Sequence, residues 1–256
     1  MIKRILLLIC LIALPITVWA VSGPILQMIA GTHACGNPSW YASAIISWDG
    51  DHCSGTNYWV ETDGDAVAAA NTGLTINTTY GESGSNGAYL TDGDQYLTVT
   101  NGANVYLDPD VSQTIWMRVY MNGTPDGIFP YFEAYYDADN RLRIGTQASL
   151  LQFSNFTWST VQYDTYGTVA ESTGTWVDIA VSWDNVRPDG NFSIYSGGQW
   201  DEDLNDIDDT DGMDGDITWF CIGVNNWWAA GPGVGNEIRV TQVAIVSGYL
   251  QDAPWW

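Results

Sequence analysis

The stretch Trp176-Val-Asp-Ile-Ala-Val-Ser-Trp183 alternates along its whole length. Val177, Ile179, Val181 and Trp183 share one side, and Asp178 and Ser182 share the other. A period of two in β-branched and aromatic residues predicts a strand with its apolar side inward and its polar side outward. The run Thr114-Ile-Trp-Met-Arg-Val-Tyr120 repeats the pattern, with Ile115, Met117 and Val119 on one face and Trp116, Arg118 and Tyr120 on the other. Further strands are predicted near residues 45–48, 96–99, 127–136, 141–145, 192–195, 217–223 and 240–246. Helical periodicity is almost absent. Asp-Gly pairs start at Asp49, Asp63, Asp92, Asp126, Asp189, Asp211 and Asp214, and Asn-Gly pairs at Asn86, Asn101 and Asn122. These pairs tolerate the positive backbone angles of tight turns. Many short strands with frequent turns predict an all-β, two-sheet antiparallel jelly-roll sandwich. Thirteen tryptophans after residue 20 supply large flat surfaces for its core.

The N-terminus reads as an export signal. Lys3 and Arg4 precede the apolar run 5–18, and Val18-Trp19-Ala20 offers a cleavage site after Ala20. The competing reading is an uncleaved anchor. Pro15, Ser22, Gly23 and Pro24 interrupt the apolar run, whereas a span needs about 20 mostly apolar residues. The predicted organisation is a signal peptide over 1–20, an N-terminal segment over 21–44, one domain over 45–253 and a tail over 254–256. The mature chain is expected to be secreted or held at the cell surface, with no membrane insertion.

Losing Lys3 and Arg4 leaves five arginines against 30 carboxylates, a net charge of −25. No lysine remains. Such a surface repels phosphate backbones, which argues against nucleic acid, and suits metal cations or neutral sugars. Export permits disulfides. Cys35 and Cys53 lie near one another among turn-rich residues, and a bridge between them would contribute about 3 kcal/mol by restricting the unfolded chain. Cys221 lies in the apolar run 217–222 and reads as a buried free thiol; the sequence leaves its pairing with either of the others open. Acceptor sequons occur at Asn77, Asn122, Asn155 and Asn191.

Several segments together resemble a known family. They are Gly87-AYLTDGDQYLTV-Thr100, Val111-SQTIWMRVY-Met121, Gly174-TWVDIAVSWDN followed by the 190–198 hairpin, Thr218-WFCIGVNN, and Val240-TQVAIVSGYLQD. In that order they are similar to laminin-G-like jelly-roll domains of the concanavalin-A-like lectin and glucanase superfamily, over residues 45–253. The resemblance implies a jelly roll and an extracellular binding role. It departs from the family pattern at Val177-Asp178, where a His pair is common. It departs again at Thr241-Gln242, where an acidic pair is common, which weakens any metal site carried over from the family.

Calcium is the candidate cofactor, because hard cations take six to eight oxygen ligands. Nine of the sixteen residues in 201–216 are acidic, with no basic residue between Arg187 and Arg239 to neutralise them. The candidate ligands there are Asp208, Asp209, Asp211, Asp214 and Asp216, with Asp92 and Asp94 as a second set. EF-hand spacing fails, since Ile207 holds the first ligand position and no Glu closes the loop. The competing reading is that these are solvated turn residues.

For sugar recognition the candidates are Trp227 and Trp228 flanked by Asn225 and Asn226, with Trp200, Tyr163 and Tyr166 as alternatives. Aromatic rings beside amides suit sugar faces and hydroxyls; core or edge packing is the competing reading. Glycoside hydrolysis needs two facing carboxyls. The nearest pattern, Glu61-Thr-Asp63-Gly-Asp65, departs from the glucanase arrangement. His33, Cys35, His52 and Cys53 have ligand types suited to zinc, in competition with the disulfide. The sequence therefore predicts a binding module for glycan or another extracellular surface ligand, of an adhesive kind, rather than an enzyme. A self-assembling coat, fibre or sheath subunit is the alternative, and a glycoside hydrolase or polysaccharide lyase comes third.

Overall fold

The computed structural model describes residues 43–51, 57–91, 94–100, 102–108, 111–123, 128–136, 140–147, 150–157, 160–170, 172–184, 192–201, 216–223 and 237–254. The described residues are mostly strand, with almost no helix. β1 (Ala44–Asp49), β2 (Tyr58–Glu61), β3 (Ala66–Ala68), β4 (Ala70–Thr72), β5 (Thr75–Asn77), β6 (Gly87–Leu90) and β7 (Tyr96–Val99) precede a single helical turn, Ala103–Tyr106. β8 (Gln113–Asn122), β9 (Ile128–Tyr135), β10 (Asn140–Gln147), β11 (Leu150–Thr157) and β12 (Thr160–Ala170) follow. The last strands are β13 (Trp176–Trp183), β14 (Phe192–Ser196), β15 (Gln199–Asp201), β16 (Trp219–Gly223) and β17 (Glu237–Ser247).

They form two antiparallel sheets. The ten-stranded sheet runs β15-β14-β13-β8-β17-β1-β2-β3, with β6 also pairing β17 and β5 pairing β6. The seven-stranded sheet runs β12-β11-β10-β9-β16-β7-β4. The two alternating stretches that predicted the fold, β8 and β13, are direct neighbours, with Trp176 opposite Tyr120 and Trp183 opposite Gln113. Their apolar sides face the core as the alternation requires: Ile115, Met117, Val119, Ile179, Val181 and Trp183 are all buried. The facing sheet contributes Leu97, Val99, Phe132, Leu142, Ile144, Phe220 and Ile222. Trp59 meets Phe220 edge-on at 5.2 Å between ring centres, and Phe220 stacks on Phe132 at 5.7 Å. Truncating a fully buried ring such as Trp48 or Trp59 would cost about 3–5 kcal/mol.

Local departures from regular pairing and spacing tune the sandwich. The register of β9 against β10 shifts between Ile144 and Gly145, so that Tyr131 and Phe132 both reach the core despite being consecutive. At the free edge of the seven-stranded sheet, Gly167 of β12 lies against β14 of the other sheet. A Cβ there would stand 2.8 Å from the Ser196 hydroxyl and 3.1 Å from Ile194, so a glycine permits the close approach.

The outer side of β13 differs from the solvated face that alternation alone implies. Asp178 and Ser182 do point outward, but Ser182 is fully buried. After β17 the chain turns back and lays residues 248–253 over this end of the sheet. Thr114 donates to the Gly248 carbonyl at 2.8 Å, the Leu250 amide donates to Ser182 Oγ at 2.7 Å, and Trp116 Nε1 donates to the Gln251 carbonyl at 3.1 Å. Ala253 of this strap packs with Ala44, Trp116, Ala180, Ala244 and Val246 in a second, smaller apolar cluster. Strands β2–β6, β11, β12 and β15 were not among those expected from periodicity, although the family resemblance implied a strand at β6. β3, β4, β5 and β15 are only three residues long, and β11 and β12 are rich in Ser, Thr, Gln and Asn at an edge.

Candidate functional site

The part of the ten-stranded sheet's outer face left open by the strap carries two transverse rows of side chains. In the first row Tyr89, Arg239, Tyr120 and Trp176 stand in register on β6, β17, β8 and β13. Tyr80, from the connection before β6, stacks on Tyr89 at 4.1 Å with the rings almost parallel. The Arg239 guanidinium lies 4.7 Å from the Tyr120 ring centre and 5.6 Å from that of Tyr80. Tyr120 in turn meets Trp176 at 5.7 Å. Arg239 also pairs with Glu237 on its own strand. At strand spacings of about 4.8 Å, four strands make this row about 14 Å long.

In the second row Gln242, Arg118 and Asp178 are in register on β17, β8 and β13. Arg118 grips both oxygens of Glu82, through Nε at 2.9 Å and Nη2 at 2.6 Å, and reaches Asp178 through Nη1 at 2.9 Å. The fork geometry fixes both carboxylates in place. The hydrogen bond to Glu82 is the main force raising the Arg118 pKa, working against burial, with Asp178 adding to it. Burial, then Glu237, pushes the Tyr89 phenol above its ordinary value. The residues of both rows, with Tyr80 and Glu82, are each partly covered and partly open, so the face offers ring surface beside fixed acceptors and donors.

The seven-stranded sheet carries a different polar row, and it is closed. Thr98, Cys221, Glu133 and Arg143 are in register on β7, β16, β9 and β10, and all four are buried. Arg143 donates to Glu133 Oε1 through Nε at 2.7 Å and Nη2 at 2.6 Å, and the Tyr135 hydroxyl donates to Oε2. The next row out is a ladder: Tyr135 stacks on Trp219 at 3.6 Å and carries Arg141 5.5 Å from its ring centre. Burial and then Glu133 raise the Tyr135 pKa. With Glu133 fully enclosed, this cluster reads as the frame of the sheet.

Trp200, a residue singled out from the sequence, is half-buried on β15, 5.6 Å from Trp116 and 5.4 Å from Tyr195 between ring centres. Trp227, Trp228, Asn225 and Asn226 lie outside the described residues, as do Asp208, Asp209, Asp211, Asp214 and Asp92, and Cys35, Cys53, His33 and His52. Asp216 and Asp94 are described and exposed. Tyr163 and Tyr166 occupy positions on β12. Cys221 is a buried free thiol, donating to the Gly223 carbonyl at 3.5 Å. Among the described residues no group of three or more His, Cys, Asp or Glu is placed to hold a metal ion. The described Asp-Gly-Asp segments make local turns: Asp49 accepts from the Asp51 amide and Asp63 from the Asp65 amide. Glu61 accepts a 2.6 Å hydrogen bond from Tyr106.

The chain's two-sheet sandwich is one that solved structures share. It is similar to domain 4 of a GH43 extracellular arabinanase from Geobacillus stearothermophilus in complex with arabinotriose, at 16% identity and a TM-score of 0.56, covering 83% of this chain and 97% of that one. It is similar to the botulinum neurotoxin serotype D/C binding domain, at 16% identity and a TM-score of 0.58, covering 83% of this chain and 50% of that one. It is also similar to Trypanosoma rangeli sialidase in complex with sialic acid, at 13% identity and a TM-score of 0.51, covering 84% of this chain and 32% of that one. At these identities the likeness is one of fold. No family model and no curated protein matches the chain.

The sequence marked Arg118 and Tyr120 as outward-facing but did not join them to Glu82, Tyr80, Tyr89, Trp176, Glu237 and Arg239. The available signal was scarcity. The chain has five arginines after residue 20, and the four among the described residues, Arg118, Arg141, Arg143 and Arg239, each lie against a carboxylate or a ring.

Proposed function

We propose that the protein is an exported glycan-binding module, of the kind its resemblance to laminin-G-like domains implies, and that it binds through the open half of the ten-stranded sheet's outer face. The observation that carries this reading is the Tyr89–Arg239–Tyr120–Trp176 row. It presents half-open rings on a rigid sheet, beside carboxylates held by guanidinium groups. Sugars are recognised by this combination, because their C–H faces pack on rings while their hydroxyls bond to planar polar groups. A rigid sheet keeps the ordering cost of binding low. Support also comes from the arabinanase domain of the same fold, which is complexed with arabinotriose. Calcium bound by Asp208, Asp209, Asp211, Asp214 and Asp216 belongs to the same proposal as a loop-shaping ion.

The test is a glycan array followed by calorimetry on the best ligand, with Trp176→Ala and Tyr80→Ala as variants. Each variant is expected to weaken binding by about tenfold or more, as loss of an aromatic anchor does. A ligand held equally well by both variants would remove this face from the function.

A further inference from the structure

We propose that this face selects neutral glycans and rejects acidic ones; the inference rests on the glycan-binding reading above and names its ligand class. An acidic sugar needs a cation free to receive its carboxylate or sulfate, preferably an arginine fork. Both guanidinium groups here are already committed. Arg118 uses Nε and Nη2 on Glu82 and Nη1 on Asp178. Arg239 gives Nη2 to Glu237 and Nη1 to the Thr79 carbonyl, and lies against the Tyr80 and Tyr120 rings. Its Nε is buried and makes no hydrogen bond, so it offers no donor at the surface.

The charge count points the same way. Glu82, Asp178 and Glu237 against Arg118 and Arg239 leave the face at −1, on a chain of −23. An anionic ligand meets repulsion at long range and no vacant cation on arrival. A neutral ligand meets neither obstacle. Each carboxylate has about four acceptor positions, more than its guanidinium contacts use, so hydroxyl donors are accommodated. The row of about 14 Å suits an oligosaccharide lying across the strands rather than a single ring.

The experiment measures binding of two labelled sets to the full mature chain by fluorescence anisotropy. The neutral set is cello-, xylo-, arabino- and galacto-oligosaccharides; the acidic set is oligogalacturonate, heparin fragments and sialyllactose. At least one neutral oligosaccharide is expected to bind, to be lost in Trp176→Ala and Tyr80→Ala, and to change by less than about twofold as salt shortens the screening length from about 10 Å to about 3 Å. The acidic set is expected not to bind the wild type. Replacing Glu82→Gln and Asp178→Asn together, which frees Arg118, is expected to admit it. Acidic oligosaccharide bound by the wild type overturns the selectivity, and its loss in Trp176→Ala would leave the face as the glycan site. Failure of both sets to bind overturns the glycan reading and the selectivity with it. Far-ultraviolet circular dichroism and melting temperature confirm that each variant folds.

Discussion

Breaking the Glu133–Arg143 pair is the sharpest test of how the seven-stranded sheet is held. The two residues face each other across β9 and β10, with side-chain exposures of 0% and 7%. Arg143→Met leaves the Glu133 carboxylate buried, with the Tyr135 hydroxyl but without its guanidinium. Removing one partner of a buried pair costs about 3–5 kcal/mol, because the remaining charge is neither hydrated nor compensated. For a domain of this size each kcal/mol lowers the melting temperature by about 2–4 °C, so a fall of about 6–20 °C is expected. Replacing both partners, Glu133→Leu with Arg143→Met, removes the charge altogether and is expected to recover most of the loss, since apolar replacement of a buried pair is often neutral or better. Calorimetric melting and urea unfolding followed by tryptophan fluorescence both read this cycle. Two results would count against a buried, mutually dependent pair. One is a single-variant loss below about 1 kcal/mol, as for an exposed pair. The other is a double variant no more stable than the single one.

Burial, then its hydrogen bond to Glu61, pushes the Tyr106 pKa up to about 12 from its ordinary 10.0. The stability it contributes is therefore complete below pH 10 and lost as pH rises through 12. Tyr106→Phe should flatten the stability profile in that window, and an unchanged alkaline limb would remove Tyr106 from it. Deleting residues 248–256 should expose the Trp116 cluster, cost a few kcal/mol from uncovered ring surface and lost hydrogen bonds, and raise binding of a hydrophobic dye; unaltered melting would show that the strap adds nothing. Calcium added back to chelator-treated protein should raise the melting temperature saturably, where sodium at matched ionic strength does not. A rise no greater than sodium's would set calcium aside.

Much of the fold was legible in local pattern. β7 and β13 fall on the residues expected for them, and β8 extends its expected run by one residue at the start and two at the end. The inward faces of β8 and β13 also match, because a half-buried strand writes its burial into a period of two. β11 and β12 did not announce themselves, since their pairing comes from neighbouring strands rather than from an apolar stripe. The candidate site was less legible. Trp200, proposed from the sequence as a sugar platform, sits with Trp116 and Tyr195 rather than in the open rows.

Residue type and short spacing were enough for the all-β class, the paired alternating strands, the buried thiol at Cys221 and the strongly acidic balance. Which polar and aromatic residues meet depended on long-range packing. Glu82 and Arg118 are far apart in the chain, as are Tyr89 and Arg239, and only the folded arrangement of the strands brings them together. Packing also left Ser182 buried and Arg118 half-open, although both occupy outward positions on adjacent strands. The cause is the strap after β17, which crosses one end of the sheet and leaves the other open.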